Sequence, residues 1–133
     1  LMDVIDWEAN VDPEFKKHRF MRPIVARESE AYKEEWICYK SKLACAKRLT
    51  VYPGQTVTLS DGAPYGFILI EGRGKFGVWD IETPTLIRYG ELTSDEFFVT
   101  ASAAKKGVKI TNTSKTENIV MLKHFAENPD LKL

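Results

Sequence analysis

Histidine is scarce in this 133-residue chain, with His18 and His124 its two examples. A transition ion held by side chains needs about three or four imidazole, carboxylate or thiolate ligands. With two distant histidines, no His-x-His pair forms in any register. Cysteine is equally sparse: Cys38 and Cys45 are too few for a disulfide-built scaffold and have no CxxC or His partner at metal spacing. Charge of one sign is missing too. Nineteen basic residues balance nineteen acidic ones, so no global field draws the chain to nucleic acid, and a basic cluster such as "AAKKG" is two lysines on a surface loop. Apolar runs, such as Phe67 to Ile70, reach four residues and are far too short to span a bilayer. The first residues carry Asp3, Asp6 and Glu8 where a secretory signal would be basic, so a cytoplasmic location is the default expectation. There is no Gly-x-Ser-x-Gly for a serine nucleophile, no internal repeat and no low-complexity tract.

What is present is a core. With 44% hydrophobic residues the chain is long enough for one domain and too short for two. The expected organisation is a single domain over 1–133, with an N-terminal arm at 1–34, a β-barrel at 35–126 and a C-terminal tail at 127–133. In the arm, "NVDPEFKKHRF" carries a helix-start signature: Asp12 to cap, Pro13 at the first helical position, Glu14 at the positive end of the dipole, and a helix to about Arg19. "ARESEAYKEEW" is charged enough for a surface turn or short helix. Trp7, Phe15, Phe20 and Met21 need cover, either the open end of their own barrel or another subunit.

From Trp36 onward the texture is β. Short segments rich in β-branched and aromatic residues run from Glu35 to Tyr39, Ala44 to Tyr52, Gln55 to Leu59, Tyr65 to Glu71 and Gly74 to Trp79. Four more span Thr85 to Tyr89, Glu96 to Thr100, Val108 to Asn112 and Ile119 to Phe125. "VYPG", "SDGAP", "EGRG" and "NTSKTEN" separate them as turns, and strands at this spacing build a sandwich or barrel. "TASAAKKG" interrupts with a helical turn that Thr100 caps and Gly107 ends. "EGRGKFG" has Gly-x-Gly-x-x-Gly spacing, but between two strands it reads as a hairpin, not a phosphate cradle. A hairpin turning at Ser41 and Lys42 would set Cys38 opposite Cys45, two reduced thiols packed as small apolar groups.

"PGQTVTL" followed by "FILIEGRGKF", and later "GVKITNTSKTENIVMLKHF", resemble the cupin superfamily over roughly Leu43 to Phe125. The resemblance implies an all-β fold, a cupin-type (RmlC-like) double-stranded β-helix or jelly-roll barrel with a short helical N-terminal arm. The family's first motif places Gly54 at its start and Gly74 at its end, but puts Ser60 and Gly62 on the two metal-binding histidines and Gly66 or Phe67 on the glutamate. In the second motif Asn112 keeps its place and Val108 stands for histidine. Extra residues before Asn112 are assigned to the helical turn at Ser102 to Lys106. The implied barrel is a member without the metal-binding histidines, with no metal and no cofactor expected.

Ser60, Tyr65, Phe67, Val108, Ile110 and His124 are the candidate ligand-binding residues. If the former ligand positions face a cavity, Ser60 and Tyr65 offer hydroxyls at its mouth and Val108, Ile110 and Phe67 an apolar wall; alternatively, side chains fill the interior. Asp61 reads as an Asx-type turn residue. His124 is a candidate general base, although it faces opposite to Lys123 on a regular strand and has only Glu127 nearby. Two functions follow. One is a metal-free module for binding a small molecule or for assembly, as a homodimer or paired with a second cupin barrel, with no nucleic-acid or membrane partner. The other is a sugar or sugar-phosphate isomerase, which would need an acid, a base and a cationic clamp from Arg73, Arg88 or Lys123.

Overall fold

The computed structural model describes residues 2–41, 43–86 and 88–126. Its strands form two antiparallel sheets facing each other across one core. The larger runs in the order β1 (Ile24–Glu28), β2 (Tyr32–Cys38), β3 (Cys45–Val51), β10 (Ile119–Phe125), β5 (Tyr65–Glu71) and β8 (Glu96–Val99). The smaller is β4 (Thr56–Leu59), β9 (Val108–Asn112), β6 (Arg73–Phe76) and β7 (Trp79–Glu82). Period-two alternation explains why these segments sit where they do. On β3, Cys45, Lys47, Leu49 and Val51 face inward; on β10, Ile119, Met121, Lys123 and Phe125 do. The smaller sheet contributes Val57, Leu59, Phe76, Ile81 and Ile110 from the other side.

Several expectations are corrected. The charged stretch before Trp36 is no helix but a hairpin: a turn at 29–31, exposed at Ser29 and Glu30, joins β1 to β2, Arg27 stands opposite Glu34, and β1 completes the edge of the larger sheet. Gly74 to Trp79 is two strands, β6 and β7, joined at Gly77, whose φ of 62° suits a tight turn. "EGRG" is no hairpin, because β5 and β6 belong to different sheets and the chain changes sheet at Gly72. Around Thr85 to Tyr89 the described residues form no strand. A bulge between Trp36 and Cys38 sets Cys38 opposite Ala46 rather than Cys45, and both thiols are free. Lys42 of that turn, Ile87, Glu127 and the tail 127–133 lie outside the described residues.

The arm folds as two short helices, α1 (Trp7–Val11) and α2 (Phe15–Arg19), where one was expected. Asp6 caps α1, accepting from the Ala9 N–H at 2.9 Å, while Asp12 accepts from the Glu14 N–H at 2.8 Å between the helices. Neither helix buries a residue. By contrast α3 (Ala101–Lys106) follows its sequence signals, with the Thr100 hydroxyl accepting from Ala103 N–H and Gly107 ending it at φ 91°.

Candidate functional site

Two lysines on the inward face of a sheet define the site. Lys47 and Lys123 are direct cross-strand neighbours in the β3–β10 register, and 1% and 0% exposed. Like charges so placed repel, and each is costly to bury without partners. Two buried carboxylates stand between them. The Lys123 Nζ donates to Glu34 Oε1 at 2.8 Å and to Asp61 Oδ2 at 2.5 Å. The Lys47 Nζ donates to Asp61 Oδ1 at 3.1 Å and lies 3.6 Å from Glu34 Oε2. Arg27 closes the network from the rim: its Nε donates to Glu34 Oε2 at 2.7 Å, its Nη2 contacts Glu34 and Asp61, and its Nη1 donates to the Ser60 carbonyl at 2.7 Å.

Each member is placed by its element. β2 alternation turns Glu34 and Trp36 inward, and the β1–β2 register sets Arg27 opposite Glu34. Asp61 sits on the β4–β5 turn, where its backbone N–H donates to the Ala104 carbonyl of α3 at 2.9 Å. The inserted helix thus holds the turn that points Asp61 inward. Aromatic rings wall the charges: the Lys47 Nζ lies 4.6 Å from the Trp36 ring centre, and the Lys123 Nζ 4.7 Å from that of Tyr65. Met121, Leu49, Leu69 and Ile110 belong to the buried apolar core shared by the two sheets. Burial pushes the Asp61 carboxyl up, but Lys123, by charge and hydrogen bond, together with Lys47 and Arg27, outweighs it and holds the group below its ordinary value. Burial raises the Tyr65 hydroxyl well above its ordinary value.

A cavity of about 420 Å³ opens between the two sheet edges above this network, lined by β1 from Ile24 to Arg27, by Trp36, and by Ser60, Asp61 and Gly62. A somewhat larger depression, about 480 Å³, lies near the sheet change at Gly72, but its charged residues, Glu71, Arg73, Glu82 and Glu117, are exposed. The first has a buried charged floor and is the stronger site.

The sequence candidates scatter. Tyr65, Phe67 and Ile110 are buried in the core, Phe67 against Phe76 and Phe97 at 4.5 and 5.3 Å between ring centres. Val108 packs half-buried against the same core. Ser60 is exposed and contributes its carbonyl, while Asp61 beside it points inward. His124 is exposed on the outer face, beside Phe98 and Gly66, away from the network. Asp61 is therefore more than a turn residue. Glu34, Lys47 and Arg27 went unread, although the alternation that buries Leu49 and Val51 also turns Lys47 inward.

No family model and no curated protein matches the sequence. Solved structures do match. A chain of the Rhodobacter sphaeroides SigE complex with the anti-sigma ChrR aligns with TM-score 0.54 and 10% identity, over 85% of this chain and 57% of that one. An RmlC-like cupin protein of Ralstonia eutropha gives 0.53 and 9%, over 87% and 66%. The fold is that of a cupin. Oxalate decarboxylase of Lactobacillus farciminis, in its formate complex, aligns with TM-score 0.55 and 22% identity, over 82% of this chain and 31% of that one. This cupin barrel thus spans less than two thirds of the length of each of the three. The jelly-roll expected from the resemblance is what the sheets form. A transition ion does not fit the donors present: among the described residues no three His, Cys, Asp or Glu side chains converge, and Glu34 and Asp61 already accept from cations.

Proposed function

We propose that this cupin barrel is a binding and assembly module that works without a transition metal. The observation that carries the reading is the ion network itself: Lys47 and Lys123 take up the carboxylates a metal would need. Replacing one ammonium by a divalent ion would leave the neighbouring lysine beside a larger positive charge. The test is elemental analysis of purified protein after exposure to excess manganese, iron, nickel and zinc. Less than about a tenth of an equivalent retained after gel filtration is expected if the donor count governs; stoichiometric retention of any one of them overturns the reading.

The isomerase reading lacks a convergent clamp. Lys123 is buried in ion pairs, and Arg73 stands beside Gly72, whose close neighbours are Asn118 and Ile119. Ile119 lies four residues along β10 from Lys123, about 13 Å at strand rise.

For assembly, the supporting feature is the arm. Val4, Trp7, Val11, Phe15 and Phe20 are exposed, and among the described residues no hydrogen bond or ion pair joins 2–20 to the barrel. Its charges are segregated: Asp3, Asp6, Glu8, Asp12 and Glu14 come first, then Lys16, Lys17, Arg19 and Arg22; within the arm Lys17 pairs with Glu14 and Arg19 with Asp6 at exposed sites, pairs that an antiparallel partner arm would exchange. Two arms laid antiparallel about a two-fold axis match acid to base and cover the aromatic side chains, as a self-complementary interface requires. A second copy of the chain is the occupant that this pattern fits.

A further inference from the structure

We propose that the cavity between β1 and the β4–β5 turn binds a small organic carboxylate; this rests on the binding-module reading and names its ligand class. The polar groups around the cavity divide sharply into those already engaged and those still open. The charged acceptors are engaged: Asp61 accepts from Lys47, Lys123 and Arg27, and the Ser60 carbonyl accepts from Arg27. The exposed Ser60 hydroxyl can donate as well as accept. Two N–H groups stay open beside it. Trp36 lines the cavity at 1% exposure, and its indole N–H has no acceptor among the described residues. Arg27, 30% exposed at its side chain, uses one Nη1 N–H on Ser60 and has no acceptor for the second among the described residues.

A buried donor without a partner is rare in native proteins and points to a group that completes it. One indole N–H and one guanidinium N–H match the two oxygens of a carboxylate, and a hydrogen bond between two charged groups is stronger than a neutral one. The remaining wall, Ile24, Val25, Ala26 and the Trp36 ring, takes an apolar body. A volume of about 420 Å³ lies at the lower end of small-molecule sites. A phosphate group, with more oxygens to satisfy, finds too few donors.

The test is a titration of the full chain followed by ¹H–¹⁵N correlation of the indole N–H groups of Trp7, Trp36 and Trp79, with Trp36 assigned by its disappearance in Trp36→Phe. Benzoate is the probe, with benzylamine, benzamide and inorganic phosphate as comparisons. Benzoate is expected to move the Trp36 indole signal in a saturable way while leaving Trp7 and Trp79 in place. Arg27→Lys, which keeps the charge but removes the fork, should weaken it about tenfold or more. Saturable movement with benzylamine or phosphate in place of benzoate overturns the ligand class. So does the absence of any shift with benzoate at tens of millimolar in folded protein. Neither outcome touches the metal-free reading, which stoichiometric metal retention alone would sink.

Discussion

Lys123 shows how much one side chain is asked to do. Fully buried, it holds Glu34 and Asp61 while facing Lys47 across the strand pair. A buried ion pair adds little over a well-packed apolar substitute, but removing one partner strands the others. Lys123→Met is therefore expected to lower stability by about 3–5 kcal/mol at pH 7, read from urea denaturation. The pH dependence has a definite sign. The carboxyl of Asp61 is depressed in the folded state, so its stabilisation is present above the unfolded value, near 4, and is lost as pH falls through the lower folded value. The gap between wild type and Lys123→Met should then narrow from pH 5 to pH 3; a constant gap would place the lysine outside the network. The inward turn of Lys123 is legible from β10 alternation, and Lys47 from that of β3. Their carboxylate partners are not, since Glu34 and Asp61 lie on elements far along the chain that only folding brings together.

Among the elements, the change of sheet at Gly72 is the most demanding. A Cβ on Gly72, at φ 88°, would meet the Asn118 carbonyl oxygen at 2.1 Å; one on Gly74 would meet that of Thr111 at 2.1 Å. Gly72→Ala or Gly74→Ala is expected to cost about 3 kcal/mol or more, whereas Gly54→Ala, at φ 71° with nothing within 4 Å, should cost only about 1 kcal/mol. Thermal melts of the three variants check the contrast, and equal losses would mean the crowding relaxes. The glycines were legible as punctuation, but which strands they joined was not. β1 escaped notice because a bulge between Val25 and Arg27 breaks its alternation, and because Ile24 and Val25 stay exposed. Thr85 to Tyr89 has strand-like composition yet forms no strand in its described residues, although β7 and β8 each end a sheet with one side unpaired. Composition alone does not make a strand, because β-propensity depends on what the side chains pack against.

For the whole molecule, the arm carries the prediction. The full chain should sediment as a dimer whose dissociation constant rises with salt, because added ions screen the attraction between the acid and base halves of the arms. Deleting residues 2–20 should leave a folded monomer. A deletion variant that remains dimeric would move the interface elsewhere, and the exposed Ile68, Ile70 and Phe98 of the larger sheet would be the next surface to probe. By itself the sequence determined a mostly β chain, because two-residue alternation, glycine turns and one capped helical turn are local signals that need no partner, and its resemblance to cupins implied the barrel type that the sheets form. It also determined that imidazole ligands are missing, since composition is independent of folding. Only the tertiary structure decided that the interior holds a network of lysines, carboxylates and an arginine. Those groups lie on five separate elements, and a buried charge acquires its meaning from the countercharge beside it in space.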